Sequence, residues 1–325
     1  MSKAVILGTG SCLPEKVLTN EELERMVDTS DEWISARTGI KTRRISGENE
    51  YNYLLAAGAG KKALASAGVD ASELDLIIVA TLSPHKIMPS TACFVQAELG
   101  ATKCFAYDIN AACTGFTYGL DLASKYIQCQ PHMKALVIGS ETLSTRVDWK
   151  DRNTCVLFGD GAGAAVLTGT ENGRGIFGSK LHSDGTLWKL LHMDGPESQN
   201  VSLRTENWKG ALIRMNGSDI FKHAVRAMHS VVVEVLDQHS LTIDEVDLVI
   251  PHQANIRILR KLQERLKIPD ENLFVNVDKY GNTSAASIPI ALDEANQQGC
   301  MKKHDVVLLC TFGAGLTWGA MLIRW

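Results

Sequence analysis

The chain has 325 residues, 45% hydrophobic and 22% charged, enough apolar material for one large or two smaller cores. Its formal net charge of −4 argues against a general nucleic-acid-binding surface. The opening "MSKAVILG" lacks the basic and apolar regions of an export signal, and no apolar run approaches the ~20 residues of a membrane span, so a cytoplasmic protein with reduced thiols is expected.

Apolar strand-like runs alternate with helical stretches along the first half: "KAVILG" near the start, "LDLIIVA" at 74–80, "CFAYDI" at 104–109, "KALVIG" at 134–139 and "GAAVLTG" at 163–169. Before them lies "DTSDEWISARTGI" at 28–40, where Thr29 and Ser30 precede the acidic Asp31 and Glu32, the pattern of a capped helix start. The second half runs similarly, through "VDLVIPH" at 246–252, "LFVNV" at 273–277, "DVVLLCTF" at 305–312 and "AMLIRW" at 320–325. Such alternation predicts an α/β protein with largely buried strands.

The halves also resemble each other. "VDASELDLIIVA" from Val69 matches "LTIDEVDLVIPH" from Leu241, and "KALVIG" matches "DVVLLC" at nearly the same displacement. A duplicated fold follows, with an N-terminal half of 1–170 and a C-terminal half of 171–325. Laying "FAYDINAACTGF" over "FVNVDKYGNTSA" sets Cys113 over Asn282, each after a strand and before an apolar helical pattern.

Cys113 is one of eight cysteines, and none forms a C-x-x-C pair or another metal-ligand spacing, so no metal is expected. At a helix N-terminus its thiolate would be stabilised by unpaired N–H groups and the helix dipole. The competing reading is a small residue filling a tight turn. His252, in "PHQAN" at a strand's carboxyl end, stands where α/β folds place ligands and can donate a hydrogen bond or exchange a proton. Asn282, in "GNTSAAS", is an amide donor suited to an oxyanion, or alternatively a turn and N-cap residue. The "GDGAGAA" segment at 159–165 runs into an apolar strand and opens no helix, contrary to a dinucleotide loop. "RILRKLQERLK" at 257–267 predicts an amphipathic helix whose basic face suits an acidic partner.

Together "NAACTGF", "PHQANIR", "GNTSAAS", "DTSDEWISARTGI", "DRNTCVLFGDGAGAAVL" at 151–167 and the terminal "TFGAGLTWGAMLIRW" closely resemble the β-ketoacyl-acyl-carrier-protein synthase III family over essentially the whole chain. The resemblance implies a thiolase fold of five αβαβα layers, 1–325 forming one catalytic unit, usually a homodimer. It implies an acyltransferase that condenses a short acyl-CoA primer with malonyl-acyl carrier protein through an acyl-Cys113 intermediate, CoA thioester being substrate and no cofactor being needed. His252 and Asn282 would hold the malonyl enolate, and the backbone N–H groups of Cys113 and Ala314 would form an oxyanion hole. Trp33, Arg37 and Arg152 would grip the CoA nucleotide, Met88 would close the acyl pocket across the dimer, and Arg257 would dock the carrier protein. Alanine at 314, where relatives often carry glycine, raises the question of backbone strain, and the polar segment 193–213 is expected near the site mouth. Two alternatives are a related condensing enzyme of secondary metabolism and a cysteine hydrolase of acyl thioesters.

Overall fold

The computed structural model describes residues 2–195 and 212–325. The first half carries strands β1 (Lys3–Cys12), β2 (Lys16–Thr19), β3 (Thr42–Ile45), β4 (Leu76–Ala80), β5 (Phe105–Ile109), β6 (Ala135–Thr142) and β7 (Asp160–Thr170). Helices α1 (Asn20–Glu24), α2 (Asp31–Thr38), α3 (Asn52–Ala67), α4 (Thr91–Leu99) and α5 (Gly115–Cys129) lie between them. The second half carries β8 (Gly175–Ser183), β9 (Leu191–Met193), β10 (Ile213–Met215), β11 (Leu248–Pro251), β12 (Val306–Gly313) and β13 (Thr317–Arg324). Its helices are α6 (Gly217–Gln238), α7 (Ile256–Leu266), α8 (Val277–Tyr280) and α9 (Ser287–Gln297).

Every residue of β4 and β6 is buried, which is why these strands read as unbroken apolar or small-residue runs: both faces of their sheet are covered. That sheet has the order β1-β7-β6-β4-β5, with β4 parallel to β5 and β6, and the β6–β7 and β7–β1 pairs antiparallel. The second sheet, β11-β12-β13-β8, repeats the plan: β11 and β12 are parallel, and the next two pairs are antiparallel. Thus β4, β6, β7 and β1 correspond to β11, β12, β13 and β8.

The expected strand at 273–277 is the exception. Only Leu273 remains, as a single bridge to Val249, and the chain turns into α8 at Val277. A buried side chain replaces the missing ladder. Gln253 Oε1 accepts the N–H groups of Asn276 (2.9 Å) and Val277 (3.2 Å), while its Nε2 donates to the carbonyls of Pro251 (2.8 Å) and Phe274 (3.2 Å).

Layering follows from the two-residue period of the strands. Leu76 and Ile78 of β4 face inward, where Phe116, Leu120 and Ile127 of α5 and Ile288 and Leu292 of α9 meet Leu309 and Met321 of the second sheet. Ile77 and Val79 face outward onto α3 and α4. On the far side, Val232 of α6 and Leu262 of α7 cover Val249 and Leu308. The result is five layers with α5 and α9 central, each fully buried Leu or Ile contributing on the order of 1.5–3 kcal/mol. The "GDGAGAA" segment enters β7 and forms no phosphate loop. Helix α7 is amphipathic, burying Ile258, Leu259, Leu262 and Leu266 and exposing Arg257 and Arg260. Among the described residues no helix is long and apolar enough to cross a membrane. Of the segment 193–213, residues 196–211 lie outside the described residues; its ends pair as β9 and β10, Met193 opposite Ile213.

Candidate active site

Cys113 lies in a single 3-10 turn, Ala112–Thr114, between β5 and α5. The turn starts at Ala112, whose φ of 45° lies in the left-handed region, and Asn110 Oδ1 accepts the Ala112 N–H at 3.1 Å. The second half builds the same turn at Ser284–Ala286, starting at Ser284 with φ of 49° and leading into α9. By these landmarks Ala112 matches Ser284 and Cys113 matches Ala285. The sequence overlay of Cys113 on Asn282 was therefore three residues out, because the interval between strand and helix differs in the two halves.

Ionisation of Cys113 also differs from the helix-end expectation. The thiol is buried, and desolvation pushes its pKa up to about 12; the nearby Ser284 hydroxyl acts to lower it and the charge of Glu141 to raise it. Cys113 sits within the 3-10 turn, two residues before α5 begins at Gly115, and loss of water is the largest influence on its thiol.

His252 follows β11, its N–H bonded to the Cys310 carbonyl at 2.8 Å. Burial pushes its pKa down to about 4, so the imidazole is neutral at pH 7. Its Nδ1 is buried without a hydrogen-bond partner among the described residues. Asn282 is held on both sides of its backbone: its N–H donates to the Leu157 carbonyl (2.9 Å) and its carbonyl accepts from Gly159 (3.1 Å). Ser284 N–H donates to Asn282 Oδ1 at 2.8 Å, which fixes the amide orientation and leaves Nδ2 as the free donor. A neutral imidazole and an amide can both donate to an oxyanion without forming a permanent ion pair.

Cys113, His252 and Asn282 come from three separate chain segments and line one cavity of about 820 Å³. Ala314 is on the same wall, and its φ is not positive; the left-handed conformation falls on Gly315 instead, so the alanine carries no backbone strain. Gly313 approaches so closely that a Cβ there would lie 2.8 Å from Cys113 N.

Trp33, Arg37 and Arg152 line the outer part of this cavity. Ser30 caps α2 by accepting the Trp33 N–H at 3.1 Å. The guanidinium carbons of Arg37 and Arg152 lie 5.1 and 4.8 Å from the centroid of the Trp33 ring, and Arg152 also donates to the Asp28 carbonyl at 2.8 Å. An indole flanked by two arginines offers stacking and phosphate contacts together. Arg257 is exposed on the cavity rim, 5.5 Å from the Phe221 ring centroid. Met88 is not brought into this group: it is 85% exposed beside Ile87 and outside the cavity wall of its own chain.

Sequence reading missed two polar residues. Ser284 lines the cavity with its Oγ buried and, among the described residues, unpartnered. Glu141, at the end of β6, is fully buried, and burial pushes its carboxyl up to about 7. The available signal was "GSET", a carboxylate continuing an apolar strand. Among the described residues no group of three His, Cys, Asp or Glu side chains is placed to hold a metal ion, and all eight cysteines are free.

Two family models match the chain. 3-Oxoacyl-[acyl-carrier-protein (ACP)] synthase III covers residues 107–185, and its C-terminal counterpart covers 236–325. A β-ketoacyl-[acyl-carrier-protein] synthase III of Desulfotalea psychrophila is 54% identical over 321 residues, spanning 99% of each chain. The crystal structure of 3-oxoacyl-[acyl-carrier-protein] synthase III from Aquifex aeolicus is 52% identical and superposes with a TM-score of 0.93 over 100% of each chain. The priming β-ketosynthase of the R1128 polyketide biosynthetic pathway is 33% identical, with a TM-score of 0.91 over 99% of this chain and 96% of that one.

Proposed function

Because this chain belongs to the β-ketoacyl-[acyl-carrier-protein] synthase III family, we propose that Cys113, His252 and Asn282 divide between them the two halves of its decarboxylative condensation. The chain is an acyltransferase with the thiolase fold, and it initiates fatty acid synthesis. In the first half-reaction Cys113 sulfur adds to the acyl-CoA carbonyl, CoA departs, and the acyl group stays as a thioester. Exchange of one thioester for another is nearly balanced, so positioning rather than driving force sets the rate. The Cys113 and Ala314 N–H groups are assigned to the tetrahedral oxyanion.

In the second half-reaction malonyl-acyl carrier protein loses carbon dioxide and its thioester oxygen gathers the enolate charge. His252 and Asn282 Nδ2 donate to that oxygen, and the carbanion attacks the acyl-Cys113 carbonyl to give the β-ketoacyl carrier thioester. This chemistry asks for neither metal nor redox cofactor. Trp33, Arg37 and Arg152 are assigned to the CoA nucleotide, and Arg257 to the acidic carrier protein. We also infer a cytoplasmic homodimer, with 1–170 supplying the nucleophile, 171–325 the enolate donors, and Met88 reaching the partner's acyl pocket.

The observation that carries this reading is the convergence of a thiol, a neutral imidazole and an oriented amide on one cavity. A hydrolase would need only the thiol and water; the two further donors have work in an enolate mechanism. Intact-mass measurement after exposure to a panel of acyl-CoAs tests it, with peptide mapping to locate the adduct. The expected result is one acyl group on Cys113, none on Cys113→Ser, and β-ketoacyl product only when malonyl carrier is added. Stable acylation elsewhere in the chain overturns it.

A further inference from the structure

Beside the nucleophile lies a carboxyl group that neither half-reaction uses. Glu141 is seated by the N–H groups of Leu82 (3.2 Å) and Ser83 (3.1 Å) and the hydroxyls of Ser83 (2.5 Å) and Thr81 (3.3 Å). Among the described residues no cation contributes to its ionisation, although a buried carboxylate without one is costly. The Ser284–Ala286 turn packs against both β6, which holds Glu141, and the Ala112–Thr114 turn, which holds Cys113, and its first residue is Ser284. Ser284 Oγ is buried without a hydrogen-bond partner among the described residues and lines the cavity with Cys113, and its hydroxyl acts to lower both the Cys113 thiol and the Glu141 carboxyl. A non-glycine residue held at φ 49° keeps it there.

We propose that Ser284 Oγ links Cys113 Sγ to Glu141 as a proton path, so that Glu141 acts through Ser284 as the base that frees the nucleophile. As sulfur bonds to the primer's carbonyl carbon, the thiol proton moves to Ser284 Oγ and the Ser284 hydroxyl proton moves to a Glu141 oxygen. When the tetrahedral intermediate collapses, the carbon–sulfur bond to CoA breaks and its electron pair leaves on the CoA sulfur. The proton then returns along Ser284 to that sulfur, so none is gained or lost. One negative charge is carried throughout, which a buried site tolerates better than two.

The alternatives are poorly placed. His252 is pushed down to about 4 and is a weak base at pH 7, whereas Glu141 is pushed up to about 7, where a general base works best. The other charged groups on elements packed against β6 are engaged elsewhere. Asp160 of β7 accepts from Ser144 and Ser46, Asp293 of α9 from Thr9 and Gln297, Glu294 of α9 from Asn276 and Asp121 of α5 from Ser179, while Lys61 and Lys62 of α3 and Lys125 of α5 are exposed. The titratable group on which the charge of Glu141 acts is the Cys113 thiol.

This inference rests on Cys113 being the nucleophile, and one experiment separates the two. Single-turnover acylation by acyl-CoA and iodoacetamide labelling, both resolved at the Cys113 peptide, are followed from pH 5.5 to 9 in the parent, Glu141→Gln and Ser284→Ala. Both variants should lose about 10²-fold in acylation near neutral pH. The parent's rates should rise through an inflection near pH 7 that both variants lack. If Glu141 merely accepts hydrogen bonds, its charge opposes the thiolate, and Glu141→Gln should label as fast as the parent or faster; that result overturns the proton path. Should Glu141→Gln fail to fold, Ser284→Ala decides alone, since Ala112 already occupies the matching backbone conformation. A parent that is not acylated at Cys113 removes the nucleophile itself, whereas a parent acylated normally beside unaffected variants removes only the proton path.

Discussion

His252 has been stripped of water, and that changes what it can do. An imidazole in solution is half protonated near pH 6.5, but this one keeps its neutral form down to about 4. A neutral ring donates one hydrogen bond to the enolate without binding the malonyl carboxylate as an ion pair, which would hold back the carbon dioxide that must leave. Decarboxylation of malonyl-acyl carrier protein, measured alone as release of labelled carbon dioxide, should therefore stay flat as pH falls through 6.5 and decline only toward 4. A decline centred near 6.5 would mean the ring is hydrated and titrates normally. His252→Ala and Asn282→Ala should each lose roughly 100 to 1000-fold in that assay while still accepting some acyl group on Cys113. The same shift bears on stability: the unfolded chain takes up the proton first, so folding weakens as pH falls from 6.5 toward 4, by up to roughly 3 kcal/mol. His252→Ala should remove that part of the slope in thermal unfolding.

The elements that carry these residues show which parts of the site were legible in sequence and which were not. Strands β4, β6 and β12 are apolar runs because both faces are buried, and they were readable for that reason. The 273–277 run has the same composition but no ladder partner beyond Leu273, since Gln253 supplies the hydrogen bonds; a long-range side-chain contact leaves no local periodicity to read. Cys113, His252 and Asn282 stood out as unusual residues at strand ends. Ser284 did not, because its role depends on a backbone bend and on Glu141, 143 residues away in the chain. Nor was the depth of burial that raises the Cys113 thiol visible locally. Asn282 depends on a similar hidden constraint: Gly281 has φ of 64°, and a Cβ there would lie 2.7 Å from the Leu157 carbonyl that fixes Asn282. Gly281→Ala should cost about 1–3 kcal/mol in chemical unfolding. It should also depress decarboxylation more than Cys113 acylation, since the displaced group is the proposed enolate donor; equal loss in both would place the strain outside the Asn282 segment.

At the scale of the whole molecule, the two halves meet so that residues distant in sequence share one cavity, and one expected wall residue is left out. Met88 and Ile87 are 85% and 81% exposed, adjacent large apolar side chains on the surface of a single chain. Neither lines that chain's own cavity. If Met88 shapes primer choice, it must do so in the cavity of a second copy, and the effect must cross between chains. Met88→Phe alone should shift preference toward acetyl and away from longer or branched primers, because an aromatic ring is a stiffer wall than a thioether. The decisive arrangement is a mixed dimer of Met88→Phe with Cys113→Ser, formed by refolding the two together. The only reactive thiol at a 113 position then belongs to the Met88→Phe chain, while the residue facing it from the other chain is Met88. Acyl-enzyme mass spectra across the primer panel should recover the parental preference in that mixed species and keep the acetyl preference in the Met88→Phe homodimer. If the mixed species retains the acetyl preference, Met88 acts within its own chain; if neither species differs from the parent, Met88 plays no part in primer choice.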